Sequence, residues 1–357
     1  MSNTLTTHNN NFNFLRLVGS LLVLFSHTYA VLGLDNDEPI SILSGKLMAA
    51  STVGLSIFFF ISGYFVSRSA MTSTFFDFIK KRICRIYPAL IFVVLLTVFV
   101  IGPLCSAYTA KHYFSDNNTW KYLYTISGIR MRMQLPGVFT EPAFFDHGVN
   151  ASIWTISVEV MLYIFLAALL FSGLLKNKKI YRLFSFIVAA TCFLTVTIYP
   201  LPGDSAKYFA LAGIFFMGGF CSTVLLTQKK AFAVVIVSCL LFIPLQLFAS
   251  QWIKTTCILC IIICMFCWMI GFSKKIHFRL NNDISYGLYL IAFPLQQIVF
   301  RLTGYRQSVP LHLFLTLLPA IAFAVLSWRL IEKPCIAFAR KKNKSAGQLP
   351  GTFKKAE

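Results

Sequence analysis

The sequence predicts an all-α, polytopic membrane protein, and three observations predict it. Of its 357 residues 57% are hydrophobic and only 12% charged, where a soluble domain carries about 25% charged residues. The apolar residues gather in blocks of about twenty, the length a helix needs to cross a hydrocarbon core of about 30 Å. Between blocks, Lys and Arg collect on alternate loops, as they do where loops face the cytoplasm. A large soluble protein with a fatty core would need polar helix faces, and these blocks lack them.

Ten blocks of membrane length run over about 14–34, 47–67, 86–105, 152–172, 183–200, 207–226, 231–248, 252–271, 284–302 and 311–331. Arg68, Lys80, Lys81, Arg82 and Arg85 follow the second block, and Lys176, Lys178, Lys179 and Arg182 the fourth. Lys229 and Lys230 follow the sixth, Lys274, Lys275 and Arg279 the eighth, and Lys333, Arg340, Lys341, Lys342 and Lys344 the tenth. The intervening loops are poorer in cations or carry acids, as with Asp35, Asp37 and Glu38. All the basic clusters therefore fall on one side, which puts both termini in the cytoplasm and requires an even number of helices. Residues 1–340 are expected to form a single transmembrane domain, and 341–357 a basic, disordered cytoplasmic tail. The Asn-rich start has no basic n-region, and no small-residue cleavage site follows Leu34, so no cleavable signal is expected.

One connection is unusual. Residues 106–151 are too long for a simple loop and carry His112, Trp120, Tyr122, Tyr124, Arg130, Arg132 and His147. On this topology they lie outside. Two readings fit: a cover over a polar substrate, or a lipid-facing amphipathic segment with interfacial aromatics.

A net charge of +20 suggests nucleic acid at first sight. The cations sit in short clusters between apolar blocks, however, and make no contiguous basic surface. Anionic lipid and a phosphorylated ligand suit them better than nucleic acid. Of the ten cysteines, Cys192, Cys221, Cys239, Cys257, Cys260, Cys264 and Cys267 lie inside apolar blocks. The run Cys257, Cys260, Cys264, Cys267 has paired C-x-x-C spacing, but it forms one helical stripe with no His or carboxylate beside it. Helix packing by small residues is expected there, with no metal.

An ionisable side chain within a membrane helix costs about 2.5–3.5 kcal/mol even on insertion scales, so each one needs a reason. Arg16 and His27 share the first block. Eleven residues separate them, about 1100° of helix, which leaves them about 20° from one common face and about 16 Å apart along the axis. Arg16 then sits near the cytoplasmic surface and His27 beyond the middle of the membrane. Arg16 is either an interfacial snorkelling cation or part of a site. His27 is either a packed interhelical residue or a neutral imidazole able to take a proton from a hydroxyl near pH 7. Arg82 and Arg85, three residues apart, share a helical face at the cytoplasmic end and fit a phosphate clamp, although ordinary positive flanking accounts for them equally. Glu159 lies about one and a half turns into the fourth block, on the outer side. It either orients the His27 imidazole or makes a structural interhelical bond.

Together these stretches resemble the acyltransferase-3 family of bacterial membrane acyltransferases, which includes O-antigen and exopolysaccharide O-acetyltransferases. Arg16 and His27 match its Arg-x10-His, and Phe58 to Tyr64 its "FFxISGY". Arg82, Arg85, Tyr87 and Pro88 match R-x-x-R…YP, and Asn150 to Glu159 match N-x-S-x-W-x-x-x-x-E. Ile284 to Leu290 and Arg329 to Pro334 match its late "ISYGLYL" and "RLIE+P" signatures. The chain departs from the pattern where Ile291, Ala292 and Phe293 replace the usual residues before Pro294, a Trp and a His among them.

The resemblance implies transfer of an acyl group, usually acetyl from acetyl-CoA, to a hydroxyl of a surface carbohydrate at the bacterial inner membrane. Acetyl-CoA is then a substrate, and no cofactor is permanently bound. His27 and Glu159 are expected to be catalytic, Arg16, Arg82 and Arg85 to hold the CoA phosphates, and Asn150 and Trp154 to meet the acceptor. The rival class is a secondary transporter of a polar solute, since intramembrane charges also mark permeation paths. Its inverted repeats and broken helices are not evident in the sequence.

Overall fold

A computed structural model describes residues 11–141, 148–199, 201, 205–224, 227–248, 252–273, 278, 280–304 and 307–340. The expectations that rest on His147, Lys274, Lys275, Arg279 and the tail 341–357 lie outside these residues. The described chain is helical and without strands, apart from one isolated bridge between Ser106 and Val138.

A long helix stands in each of the ten apolar blocks. They are α1 Phe12–Val31, α2 Ala50–Thr72, α3 Phe75–Leu96, α4 Trp154–Phe171, α5 Lys178–Ile198, α6 Ser205–Thr223, α7 Gln228–Phe248, α8 Trp252–Gly271, α9 Ser285–Leu302 and α10 Val309–Ser327. Among the described residues six stretches are both long and apolar enough to cross a membrane: Phe12–Val31, Ala50–Thr72, Phe75–Cys105, Ala151–Phe171, Lys178–Val196 and Val309–Arg340. Several helix starts are written locally. Thr74 accepts from Asp77 N at 3.3 Å before α3, and Asn177 accepts from Lys179 N and Ile180 N before α5. Outward-facing Phe92, Leu95, Leu183, Ile187, Phe314 and Leu318 suit hydrocarbon contact.

Two helices carry π turns. Thr97–Ile101 continues α3, and Tyr113 Oη donates to Val98 O at 3.0 Å within that turn. Trp328–Glu332 continues α10 and runs on into the helix Lys333–Arg340, which packs against α3. π turns of this kind often sit at functional sites.

The core is organised by close helix crossings. α2 packs against α1 and α6, α5 against α6, α7 against α8, and α9 against α1 and α10. A methyl at Gly63 on α2 would overlap the carbonyl of Phe215 on α6, and one at Gly218 on α6 would overlap the carbonyl of Phe60. Gly54 on α2 meets the Gly19 carbonyl of α1 in the same way. Without a hydrophobic drive between helices in lipid, such small-residue contacts let backbones approach and gain dispersion. Cys260, Cys264 and Cys267 are free, buried thiols on α8, and Cys260 Sγ lies 3.7 Å from Ser56 Oγ.

Gly218→Ala must push α6 away from α2, so it is expected to cost about 1–3 kcal/mol, the usual range for overpacking. Thermal denaturation of the purified protein in detergent measures it. An unchanged midpoint would show that the crossing is looser than described.

Candidate active site

The first helix reaches two polar centres, one near each of its ends. At the first, Arg16 from α1 and Arg85 from α3 converge on Asp283, in the segment just before α9. Arg16 Nη1 donates to Asp283 Oδ2 at 3.2 Å and Arg85 Nη2 to the same oxygen at 2.8 Å. Ser285 Oγ bonds the other carboxylate oxygen. Burial alone would raise the Asp283 carboxyl, but Arg85 and Arg16, with the Ser285 hydroxyl and backbone, hold it below its usual range. Its ion pairs are therefore complete above the ordinary carboxylate range and are lost only as pH falls through the depressed value.

Glu332 approaches from the π turn after α10. Its Oε2 lies 3.9 Å from Arg85 Nη1, and its Oε1 accepts from Ser327 Oγ at 3.0 Å. Gly287 makes room for it, since a Cβ there would stand 3.0 Å from Oε1. Arg82 joins the cluster differently. Its guanidinium lies 5.3 Å from the Tyr163 ring centroid and 5.7 Å from that of Phe78, with no acidic partner among the described residues. Tyr163 leads inward, because its hydroxyl donates to Glu159 Oε1. Ser62 of the "ISGY" motif donates to the same oxygen at 3.1 Å and meets Tyr163 Oη at 3.0 Å. Glu159, Tyr163 and Ser62 thus extend the polar groups of this centre along α4 and α2.

At the second centre, His27 Nδ1 lies 3.2 Å from Ser152 Oγ. When Nδ1 carries the proton it donates to Ser152 Oγ, and Nε2 keeps a lone pair with no protein partner among the described residues. Phe293 meets the imidazole edge-on with centroids 5.2 Å apart. Ser152 is itself held: its carbonyl accepts from Tyr289 Oη, and its N–H bonds Asn150 Oδ1 at 3.2 Å. Asn150 Nδ2 donates to Leu290 O at 2.8 Å, tying this turn to α9. The ring is thus oriented from outside while its far nitrogen stays open, as a general base requires.

The expected residues divide accordingly. Arg16, Arg82, Arg85 and Glu159 come together at the first centre, with His27 at the second. Glu159 bonds Ser62 and Tyr163, and the contact at His27 Nδ1 is made by Ser152. Asn150 is buried with both ends of its amide engaged, whereas Trp154 is half-buried beside Tyr208, centroids 5.5 Å apart. His112 packs on Tyr108 at the surface. Asp283 escaped the sequence reading, although a lone acid after Lys274, Lys275 and Arg279 was the signal for it.

A family model described as an acyltransferase domain matches residues 9–329, and the chain belongs to the acyltransferase-3 family. It is 31% identical over 342 residues to a protein named O-acetyl transferase from Shigella phage Sf6, covering 91% of this chain and 95% of that one. It is 32% identical over 168 residues to Nodulation protein 10 of Rhizobium leguminosarum bv. viciae, covering 46% and 44%. No solved structure gives a significant match. The protein is a membrane acyltransferase.

His27→Ala should lower acyl transfer by at least about 10²-fold, the usual share of a general base, while membrane levels stay normal. Ser152→Ala should cost less, about ten-fold, through loss of ring orientation. Acyl-transfer assays on membranes with matched protein levels check both; full activity in the His27 variant would remove it from the chemistry. Asp283→Asn leaves two guanidiniums facing each other. Truncating one partner of a buried pair costs about 3–5 kcal/mol, and the partial exposure of both arginines points to the lower end. The melting temperature in detergent reads this directly, and a wild-type value would mean that the pair is solvated.

Proposed function

We propose that the protein is an O-acetyltransferase that moves acetyl from cytoplasmic acetyl-CoA to a hydroxyl of a cell-surface carbohydrate. The observation that carries this reading is a polar path with different chemistry at its two ends. Three guanidiniums gather at one end, and an oriented imidazole with an open nitrogen stands about 16 Å away along the same helix. Guanidinium forks suit the phosphates of CoA, and an open imidazole nitrogen suits a hydroxyl nucleophile. The printed name of the phage relative supports acetyl as the group.

In this reading all ten long helices cross the inner membrane of a bacterium, and both termini are cytoplasmic. Residues 1–340 act as one catalytic unit. Acetyl-CoA comes and goes as a substrate, its phosphates on Arg82, Arg85 and Arg16 and its thioester reaching toward His27. His27 Nε2 takes the proton of the acceptor hydroxyl as the oxygen attacks the thioester carbonyl. The C–S bond then breaks, an ester remains on the sugar, and the imidazolium returns its proton to the CoA thiolate. Glu159, fixed by Ser62 and Tyr163, holds the middle of the path polar. Trp154 meets the acceptor, while Asn150 acts through its hold on Ser152.

Arg82 gives the cleanest test, because no described acid depends on it. Arg82→Ala is expected to weaken acetyl-CoA binding by about ten-fold, or about 1.4 kcal/mol, with the protein still folded. Equilibrium binding of acetyl-CoA to the purified protein measures this. Unchanged affinity would return Arg82 to ordinary positive flanking. NMR of the surface polysaccharide with and without the gene should show one acetyl signal lost. No consumption of acetyl-CoA, together with uptake of a polar solute, would favour a transporter.

A further inference from the structure

The 106–151 connection descends along α3. Near its start, Tyr113 Oη bonds Val98 O, and the Trp120 ring lies 6.2 Å from that of Phe99. Further on, Tyr87 Oη donates to Ser127 O at 2.9 Å. From Val98 in the π turn to Tyr87 on α3 is eleven residues, so the segment runs about 16 Å down the helix. There Gly128, at φ 71°, turns in the left-handed region beside α4, with space for a Cβ only 3.0 Å from Val160 Cγ2. The backbone that follows is anchored. Ile129 N and Arg130 N both bond Ser127 Oγ at 3.2 Å, Arg132 N bonds Thr125 Oγ1 at 3.1 Å, and Val149 N bonds Met133 O at 2.6 Å. Irregular backbone at this depth is tolerated because protein satisfies its polar groups.

This anchored stretch forms one wall of a cavity of about 460 Å³. Arg130, Met131 and Arg132 face Trp154 and Ser157 of α4 and Tyr208 of α6 across it. Trp154 follows Ser152, the partner of His27, by two residues. The two arginines differ from those at the other end of the path. Arg16 and Arg85 are bridged by Asp283, whereas Arg130 and Arg132 are exposed and have no acidic partner among the described residues. Like charges two residues apart on a tethered backbone repel each other, and an anion between them relieves that. Trp154 and Tyr208 meet edge to face, ring planes 65° apart, and leave apolar aromatic surface of the kind a sugar ring packs against.

We propose that this cavity is the acceptor subsite and that it takes a carbohydrate bearing a negative charge. Arg130 and Arg132 hold a phosphate or carboxylate of the acceptor, while Trp154 and Tyr208 pack on its ring beside His27. The inference rests on the carbohydrate acyltransferase reading and adds the charge of the acceptor to it. Both anions offer the paired oxygens that guanidinium forks bind. A phosphate would belong to a lipid-linked or phosphorylated sugar, and a carboxylate to a uronic acid unit.

The test uses the full-length protein in phosphatidylcholine nanodiscs with three probes: maltotetraose, tetragalacturonate and maltose 1-phosphate. Binding to each is measured at equilibrium, and release of CoA thiol from acetyl-CoA is measured separately. At least one anionic probe should bind about ten-fold or more tightly than maltotetraose. Preference for tetragalacturonate identifies a carboxylate, and preference for maltose 1-phosphate a phosphate. The double variant Arg130→Gln/Arg132→Gln should lose the preference and keep the maltotetraose affinity. Trp154→Ala should weaken all sugar binding.

Equal binding of all three probes by the wild type overturns the proposal, as does a preference that survives in the double variant. So does a double variant whose only change is weaker association with phosphatidylglycerol, since the arginines would then serve lipid headgroups. If no probe and no carbohydrate ever releases CoA, the acetyltransferase reading fails, while the binding comparison still decides the subsite.

Discussion

Two guanidiniums, brought from different helices into a region with little water, share one carboxylate oxygen. Asp283 carries this arrangement, and much of the remaining architecture follows from it. Separately, Arg16 and Arg85 would each pay desolvation and would repel the other at close range. With Asp283 between them, the lower parts of α1 and α3 are tied to the start of α9. Ser285 fixes the carboxylate, and its place before a helix N-terminus adds a favourable dipole. The shared anion also sets the spacing of the two guanidiniums, since the positions of both arginines are referred to one oxygen.

From that anchor α9 works as a frame for both polar centres. Tyr289 and Leu290 hold Ser152 and Asn150, which in turn orient His27. Higher still, Gln296 donates to Leu24 O and to Thr28 Oγ1 on α1, at 2.7 and 2.8 Å, and Gln297 donates to Gly148 O at 3.0 Å. One helix therefore fixes the depth of Arg16 and the rotation of His27 at once. The residues that replace the family's usual ones before Pro294 lie on this frame, and Phe293 closes one edge of the imidazole. An apolar edge there leaves orientation of the ring to Ser152.

Much of this was legible in the sequence, for physical reasons that also mark its limits. Block length located the ten long helices because the length of an apolar run is written in the local sequence. The Arg16–His27 geometry needed only helical periodicity. The partners were harder to read. Glu159 looked like a companion of His27 by analogy with other catalytic carboxylates, yet seven residues separate it from Ser152. That is about 10 Å along the chain axis and carries it toward Tyr163 and Ser62. Glu332 reaches Arg85 from the π turn after α10, where the bonding register shifts by one residue, and periodicity does not register such a shift. The descent of the 106–151 segment depends on Tyr87 donating to its backbone at Ser127 and on its own Tyr113 donating to the backbone of Val98, and neither tyrosine signals that from its own neighbourhood.

The hydrogen-bond accounts of these buried groups separate holding from acting. Asn150 uses both ends of its amide, and Asp283 uses both of its oxygens. Groups so engaged are turned toward protein partners, and their work is to fix others. His27 keeps an open nitrogen, and Arg82 keeps a guanidinium without an acid, its Nε buried and unpartnered. A buried polar group left short of partners is costly, so it persists where something else completes it. Arg82 and His27 stand toward the two ends of the path, with Asp283 and Asn150 each holding a neighbour of one of them in place. The order of α1 follows: a cation neutralised by Asp283 near one end, and toward the other an imidazole whose orientation depends on a single hydroxyl.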